Sequence, residues 1–377
     1  MTSKNNKHIS ARKLFRPVQC LAVLIPAVLV LLFYGTKNAP ALMGQVFRNV
    51  TVPAAGLLTG WTSPIPFSLG EGLLILLVLW TAFQWTRDLV AAIRTKSLKP
   101  LQKRLIVAAA VLFWFWAGFC WLWSIAYTIP GIPRVMGLER CDVSPEALEK
   151  TAVFFAEILL RTDREILRDD KGLFAQDPDT FFSEAPHIYD ELEAYHPGLM
   201  IQDGMPKKLL LSRLQSHLGF SGFYFPYTGE ANINADIPLS AQPFALAHEL
   251  AHQRLIASED EADFLGVAAC LSSGQPSYIY SGALAGLKML AAPLNAQDPE
   301  AWQAIAEALP AGVAADWTNS VGYWLQFKTP LEDWSRDVYD SFLKSQGQEL
   351  GIRSYGACVD LLVNYCSSVI LVNPYSE

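Results

Sequence analysis

The chain has 377 residues, enough to bury a sizeable core without disulfides or other staples. Half of it is hydrophobic (51%), which excludes a disordered chain. The formal net charge of −7 hides an asymmetry: 13 Lys/Arg against two acids before residue 134, and 16 against 34 from there on. The acidic remainder offers no basic face for nucleic acid, and the basic, apolar front excludes a uniform water-soluble globule.

The front reads as membrane. Three long stretches with almost no charge, at about 17–36, 67–86 and 105–130, approach or exceed the ~20 apolar residues a helix needs to cross a bilayer. Seven of the eleven Trp lie before residue 134, many near segment ends, as interfacial aromatic belts place them. Lys4, Lys7, Arg12, Lys13 and Arg16 precede the first stretch, and Arg87, Arg94, Lys96, Lys99, Lys103 and Arg104 follow the second. The positive-inside rule then puts the N-terminus and loop 87–104 in the cytoplasm. Three crossings leave an extracytoplasmic domain over 134–377, after a membrane region over 1–133. The first stretch, ending before Ala39-Pro40-Ala41, also fits a cleavable signal. Its apolar run exceeds the ~7–15 residues usual there, so a retained helix is expected.

Past the membrane region, Pro145–Asp170 carries apolar residues at helical spacing. Lys208–Leu218 is amphipathic, and Phe220–Asn234 is aromatic, Gly-punctuated and β-like. Pro243 pre-sets the first turn of a helix, and helices follow over 243–256, 259–272, 277–292, 298–308, 313–327, 333–345 and 352–368. The expected fold is α-rich (α+β), with a small β element just before the most informative helix. Cys270 reads as a buried small hydrophobe. Cys358 and Cys366, eight apart on one helix, are too distant to bridge, and no CxxC pair suggests a cysteine metal site.

That helix contains His248-Glu249-Leu250-Ala251-His252, an HExxH. Residues i and i+4 share a helix face, so both imidazoles can reach one metal ion while Glu249 serves as general base. A catalytic zinc takes three protein ligands and keeps a fourth place for water. The other histidines lie upstream, whereas Glu259, Glu261 and Asp263 open the next helix after a short reversal. Ser258 and Glu261 have the spacing of a capping box. Glu259 and Asp263 share a face, so one can ligate while the other orients a histidine. Glu259 is the expected third ligand, with Glu261 and Asp263 as alternative or supporting acids. For the oxyanion the expected donor is Tyr355, with Arg353 and Tyr339 behind it. Tyr224, Asn232 and Asn234 are candidates to line the cleft, along an edge strand to which an extended peptide can add.

The ExxAD pattern from Glu259 to Asp263 resembles the glutamate-ligand helix of gluzincin peptidases. Across most of the chain, IPFSLGE (65–71), GFYFPYTGEANIN (222–234), PFALAHELAHQR (243–254), EDEADF (259–264), VYDSFLKSQGQ (338–348) and GIRSYGACVDLL (351–362) resemble the bacterial multi-pass membrane family called domain of unknown function 3810. The resemblance implies a membrane-anchored zinc peptidase in the bacterial cell membrane, with a zincin-like catalytic domain, one Zn2+, and a peptide or protein substrate that it leaves unidentified. The alternative is a non-catalytic receptor or envelope scaffold stabilised by metal. Glu249 separates the two, because a closed structural site needs no base.

Overall fold

A computed structural model of the protein describes residues 17–140, 142–199, 204–354 and 357–372. The apolar front forms a helical hairpin. Its first arm, Leu69–Thr95, opens at Ser68, whose hydroxyl accepts the Glu71 N–H at 3.0 Å. It closes at Lys96 in the left-handed region, and after a short turn the second arm runs back as Lys99–Leu122. At 1.5 Å per residue the arms span ~36–40 Å, more than the ~30 Å of a hydrocarbon layer. Their apolar side chains point outward: only 6% and 11% of the most apolar windows are buried. A core helix of a soluble protein would bury most of that surface. Asp88 and Arg104 pair across the hairpin at 2.7 Å near its turn.

Two helices, rather than the expected three, are long and apolar enough to cross a membrane among the described residues. The first helix, Pro17–Thr36, packs along the second arm, whose Trp121 indole donates to the Leu29 carbonyl. The arms also sit differently from expectation. The first reaches Thr95, and the second ends at Leu122 because the 3-10 turn Ser124–Thr128 intervenes.

The rest is helix-rich with one small sheet. Strands β1 (Lys207–Lys208), β2 (Gly222–Phe225) and β3 (Glu230–Ile233) lie in the order β1-β3-β2, with β1 parallel and β2 antiparallel to β3. β2 is therefore an edge. Behind the sheet, the HExxH helix (Gln242–Gln253), the acid helix (Glu259–Ser272) and helix Pro276–Gln297 pack together, and Pro145–Thr162 covers the last of these. Leu246, Leu250, Phe264, Leu287 and Phe155 form the middle of this core, each fully buried. Pro145–Thr162 ends eight residues before Asp170, since Arg168 is drawn out to pair with Asp163 and Asp316. Cys270, Cys358 and Cys366 are buried and free.

The hairpin and the sheet are joined by buried polar contacts. The Glu230 carboxylate accepts the Leu69 and Gly70 N–H groups at 3.0 and 2.7 Å, satisfying two open donors at a helix start. In return, Glu71 accepts the Leu210 and Leu211 N–H groups at 2.7 and 2.8 Å. Lys207 donates to the Ser63 carbonyl at 2.8 Å, and Thr59 and Thr62 of helix Val52–Thr62 donate to Gly229 and Thr228. All of this occurs at the end of the hairpin opposite its basic turn.

Candidate metal centre

The HExxH helix starts at Gln242 with Pro243 in its first turn, and ten of the eleven residues Pro243–Gln253 are buried. The chain reverses at Leu255, in the left-handed region at φ 61°, and re-enters helix at Glu259. That reversal lays the acid helix against the HExxH helix. Gly266 allows the close approach: a Cβ there would stand 3.2 Å from the His248 backbone nitrogen.

Three side chains converge where the two helices meet. Glu259 Oε2 lies 3.3 Å from His248 Nε2 and 3.4 Å from His252 Nε2. It is buried and has no hydrogen-bond partner. A tetrahedral ion with arms of ~2.0–2.1 Å has edges of ~3.3–3.4 Å, so this donor set fits zinc. The far nitrogens are also held: His248 Nδ1 faces Asp263 at 2.9 Å, and His252 Nδ1 faces the Ile256 carbonyl at 2.7 Å. Both contacts leave Nε2 for a metal, which is the supporting arrangement metal-binding histidines need. Tyr339 donates its hydroxyl to Glu259 Oε1 and fixes the third member.

The electrostatics follow from burial and mutual attraction. Burial opposes charge on His248, but Asp263 and Glu259 outweigh it and hold the imidazole above its ordinary value. Glu259 is held well below the usual carboxylate range, because His252 and His248 overcome the desolvation that would raise it. Glu249 goes the other way: burial pushes its carboxyl up to about 7 against the opposing pull of the two histidines. Its Oε2 is buried without a partner. Gly222 on β2 is required here, since a Cβ would meet Glu249 Oε1 at 2.7 Å and the Asn232 carbonyl at 2.6 Å.

A cleft of about 410 Å³ opens beside Glu249, His252 and Glu259. β2 forms one wall, with Tyr224 lining the cleft, and helix Pro330–Ser345 contributes Tyr339 and Phe342. Another wall comes from the apolar hairpin: Phe119 in its last turn and Trp123 just beyond. Trp123 stands edge-on to His252 at 5.6 Å and 5.2 Å from the Tyr224 ring. Burial raises the Tyr224 hydroxyl, which has no hydrogen-bond partner.

Other expected residues lie elsewhere. Glu261 accepts the Ile132 N–H at 2.9 Å and faces away from the histidines. It forms no capping box either, because Ser258 pairs with Asp260 and accepts from Gln348. Asn232 and Asn234 do not line the cleft. Their amides brace the sheet, Asn232 donating to the Phe223 and Glu230 carbonyls and Asn234 to Phe220 and Ser216, because both side chains are fully buried. Arg353 is exposed on the 3-10 turn Gly351–Ser354, and Tyr355 lies outside the described residues. The parts missed by sequence reasoning, Trp123 and Phe119, were hidden because they read as span residues.

A family model described as Protein of unknown function (DUF3810) matches residues 48–363. No curated protein and no solved structure matches the chain.

Proposed function

The chain belongs to the DUF3810 family, and since that description assigns no activity, we propose from the site that it is a membrane-anchored zinc peptidase. The observation that carries this reading is the meeting of His248 Nε2, His252 Nε2 and the buried Glu259 Oε2, with a second buried carboxylate, Glu249, beside them. His248, His252 and Glu259 would hold one Zn2+, the arrangement of a gluzincin-like site. Bound zinc supplies a Lewis acid that polarises a carbonyl and brings water's pKa from 15.7 toward ~7.

The chain's own groups do the rest. Glu249 takes a proton from the attacking water and passes it to the departing nitrogen. Tyr224, with a buried hydroxyl and no competing acceptor, donates to the oxygen that gains charge. Tyr339 and Asp263 hold Glu259 and His248 in place. The free edge of β2 supports a peptide substrate, because an extended chain can pair with it by backbone hydrogen bonds.

Anchoring in a membrane rests on the outward-facing apolar hairpin. Its turn carries Arg94, Lys96, Lys99, Lys103 and Arg104, so the positive-inside rule turns that end to the cytoplasm and the metal centre to the outside.

The test is metal content and turnover of the full chain in detergent. Purified protein should carry about one zinc per chain. Glu249→Gln should keep the metal and lose peptide hydrolysis by about 10³-fold or more, combining loss of base catalysis with a misplaced water. Metal-free, well-folded protein, or unchanged turnover in Glu249→Gln, would refute the proposal.

A further inference from the structure

The geometry points to the substrate class, and here the inference rests on the peptidase reading: the cleft is entered from the bilayer surface, and its occupant is a juxtamembrane segment of another membrane protein, with bulky apolar side chains beside the scissile bond. The site is built partly from the apolar hairpin. Phe119 belongs to the last turn of Lys99–Leu122, and its ring meets Phe342 of the covering helix at 5.8 Å. Apart from Gln215 and the metal-site carboxylates and histidine, the cleft is lined by aromatic and aliphatic side chains and Gly222. Such walls take large apolar groups.

The helices Pro330–Ser345 and Ser212–Leu218, which both supply lining residues, carry exposed apolar side chains as well. Helix Pro330–Ser345 exposes Leu331, Trp334 and Val338 at 45%, 62% and 51%. These positions fall on one stripe at spacings of three and four, and Phe342 continues it to the hairpin end. Just before helix Ser212–Leu218, Leu210 is 82% exposed although its N–H is tied to Glu71 at the start of the first arm. Leu214, on the helix that packs against Pro330–Ser345, is also exposed. Helices facing water have no use for these side chains, whereas helices resting on lipid do. The choice of a polypeptide over a lipid comes from β2, whose outer side pairs with no strand among the described residues and so leaves backbone groups that an acyl chain cannot use.

The experiment places the full chain in vesicles of phosphatidylcholine and phosphatidylglycerol. Two fluorescence-quenched reporters share one Phe/Leu-containing segment. In one it follows directly on a transmembrane helix; the other is free in water. Wild type reports cleavage, and Glu249→Gln reports binding without cleavage. The tethered reporter should be favoured in both by about tenfold or more, because its anchor raises the effective concentration of the shared segment at a cleft lying at the bilayer surface. Trp334→Asp, outside the cleft, should reduce that preference severalfold while leaving cleavage of the free reporter unchanged. Equal or better handling of the free reporter overturns the inference and leaves the peptidase reading intact. Preferential binding of the tethered reporter by Glu249→Gln, with no cleavage by zinc-loaded wild type, sinks the peptidase reading and keeps a bilayer-entered polypeptide site. No binding of either reporter overturns the inference.

Discussion

A carboxylate 2.9 Å from His248 Nδ1 decides which nitrogen of that ring remains to face Glu259. Removing it should loosen the ring without touching the three proposed metal donors. Asp263→Ala is expected to weaken zinc binding about 10–100-fold, as read by competition with a chromophoric chelator; unchanged affinity would leave Asp263 with no orienting role. Far from the metal, Lys288 sits in an apolar wall near Trp317, and burial pushes its ammonium down to about 8 despite the attraction of Asp316. Its value in the unfolded chain is ~10.4, so the folded state binds fewer protons between about 8 and 10, and stability rises with pH through that window. Below it the cost is constant. Lys288→Met should therefore raise the melting temperature by a few degrees near pH 7, with the gain fading by pH ~10. At this scale, legibility followed locality. His248 and His252 share a helix face by spacing alone, and Glu259 with Asp263 by the next helix's spacing. Tyr339 could not be assigned its grip on Glu259, because 80 residues separate them. Asn232 and Asn234 misled because a buried amide and a cleft amide look the same in sequence.

Among the elements, the start of the first hairpin arm is the one most dependent on a distant partner. Glu230 receives two of its backbone N–H groups and the Thr228 hydroxyl. Glu230→Ala would leave those helix donors buried and unsatisfied, so we expect a loss of about 2–4 kcal/mol, seen as a lower denaturation midpoint in detergent. A midpoint unchanged from wild type would mean that water replaces the carboxylate without cost. Five of the seven helices expected after residue 240 were readable to within three residues, since Pro and Gly punctuate them and their apolar faces repeat at helical spacing; the helix expected over 277–292 continues to Gln297, and the one expected from 352 starts at Val359, after the 3-10 turn Gly351–Ser354. Span boundaries were not. A hydropathy run does not reveal where a helix stops, and Leu122 marks the end only because the chain tightens into a 3-10 turn. The first apolar run also reads as a span in sequence, whereas only the two arms of the hairpin stand as candidate spans among the described residues.

For the molecule as a whole, the expected sidedness can be checked by labelling. Gln102→Cys, near the basic turn, should react with a membrane-impermeant maleimide only after permeabilisation. Glu349→Cys, on the outer part, should react in intact cells, in each case above the background of the unmodified chain. Reversed labelling would place the metal centre in the cytoplasm and remove the topology. The α-rich architecture with a small sheet was legible from the residues, as was the split in charge. How the two halves meet was not, because none of the buried contacts between them leaves a local signature.

Those contacts carry a practical warning for anyone tempted to trim the polypeptide to its water-friendly portion. A fragment beginning at residue 134 would keep Glu230 but lose the two amides it serves, and would strand the Lys207 ammonium without the carbonyl at Ser63. The cleft beside Glu249, His252 and Glu259 would lack a side, since Phe119 and Trp123 are gone. Inactivity in such a truncated preparation would report damage from the cut rather than the chemistry of the intact chain, so nanodiscs or micelles holding all of it are the proper starting material.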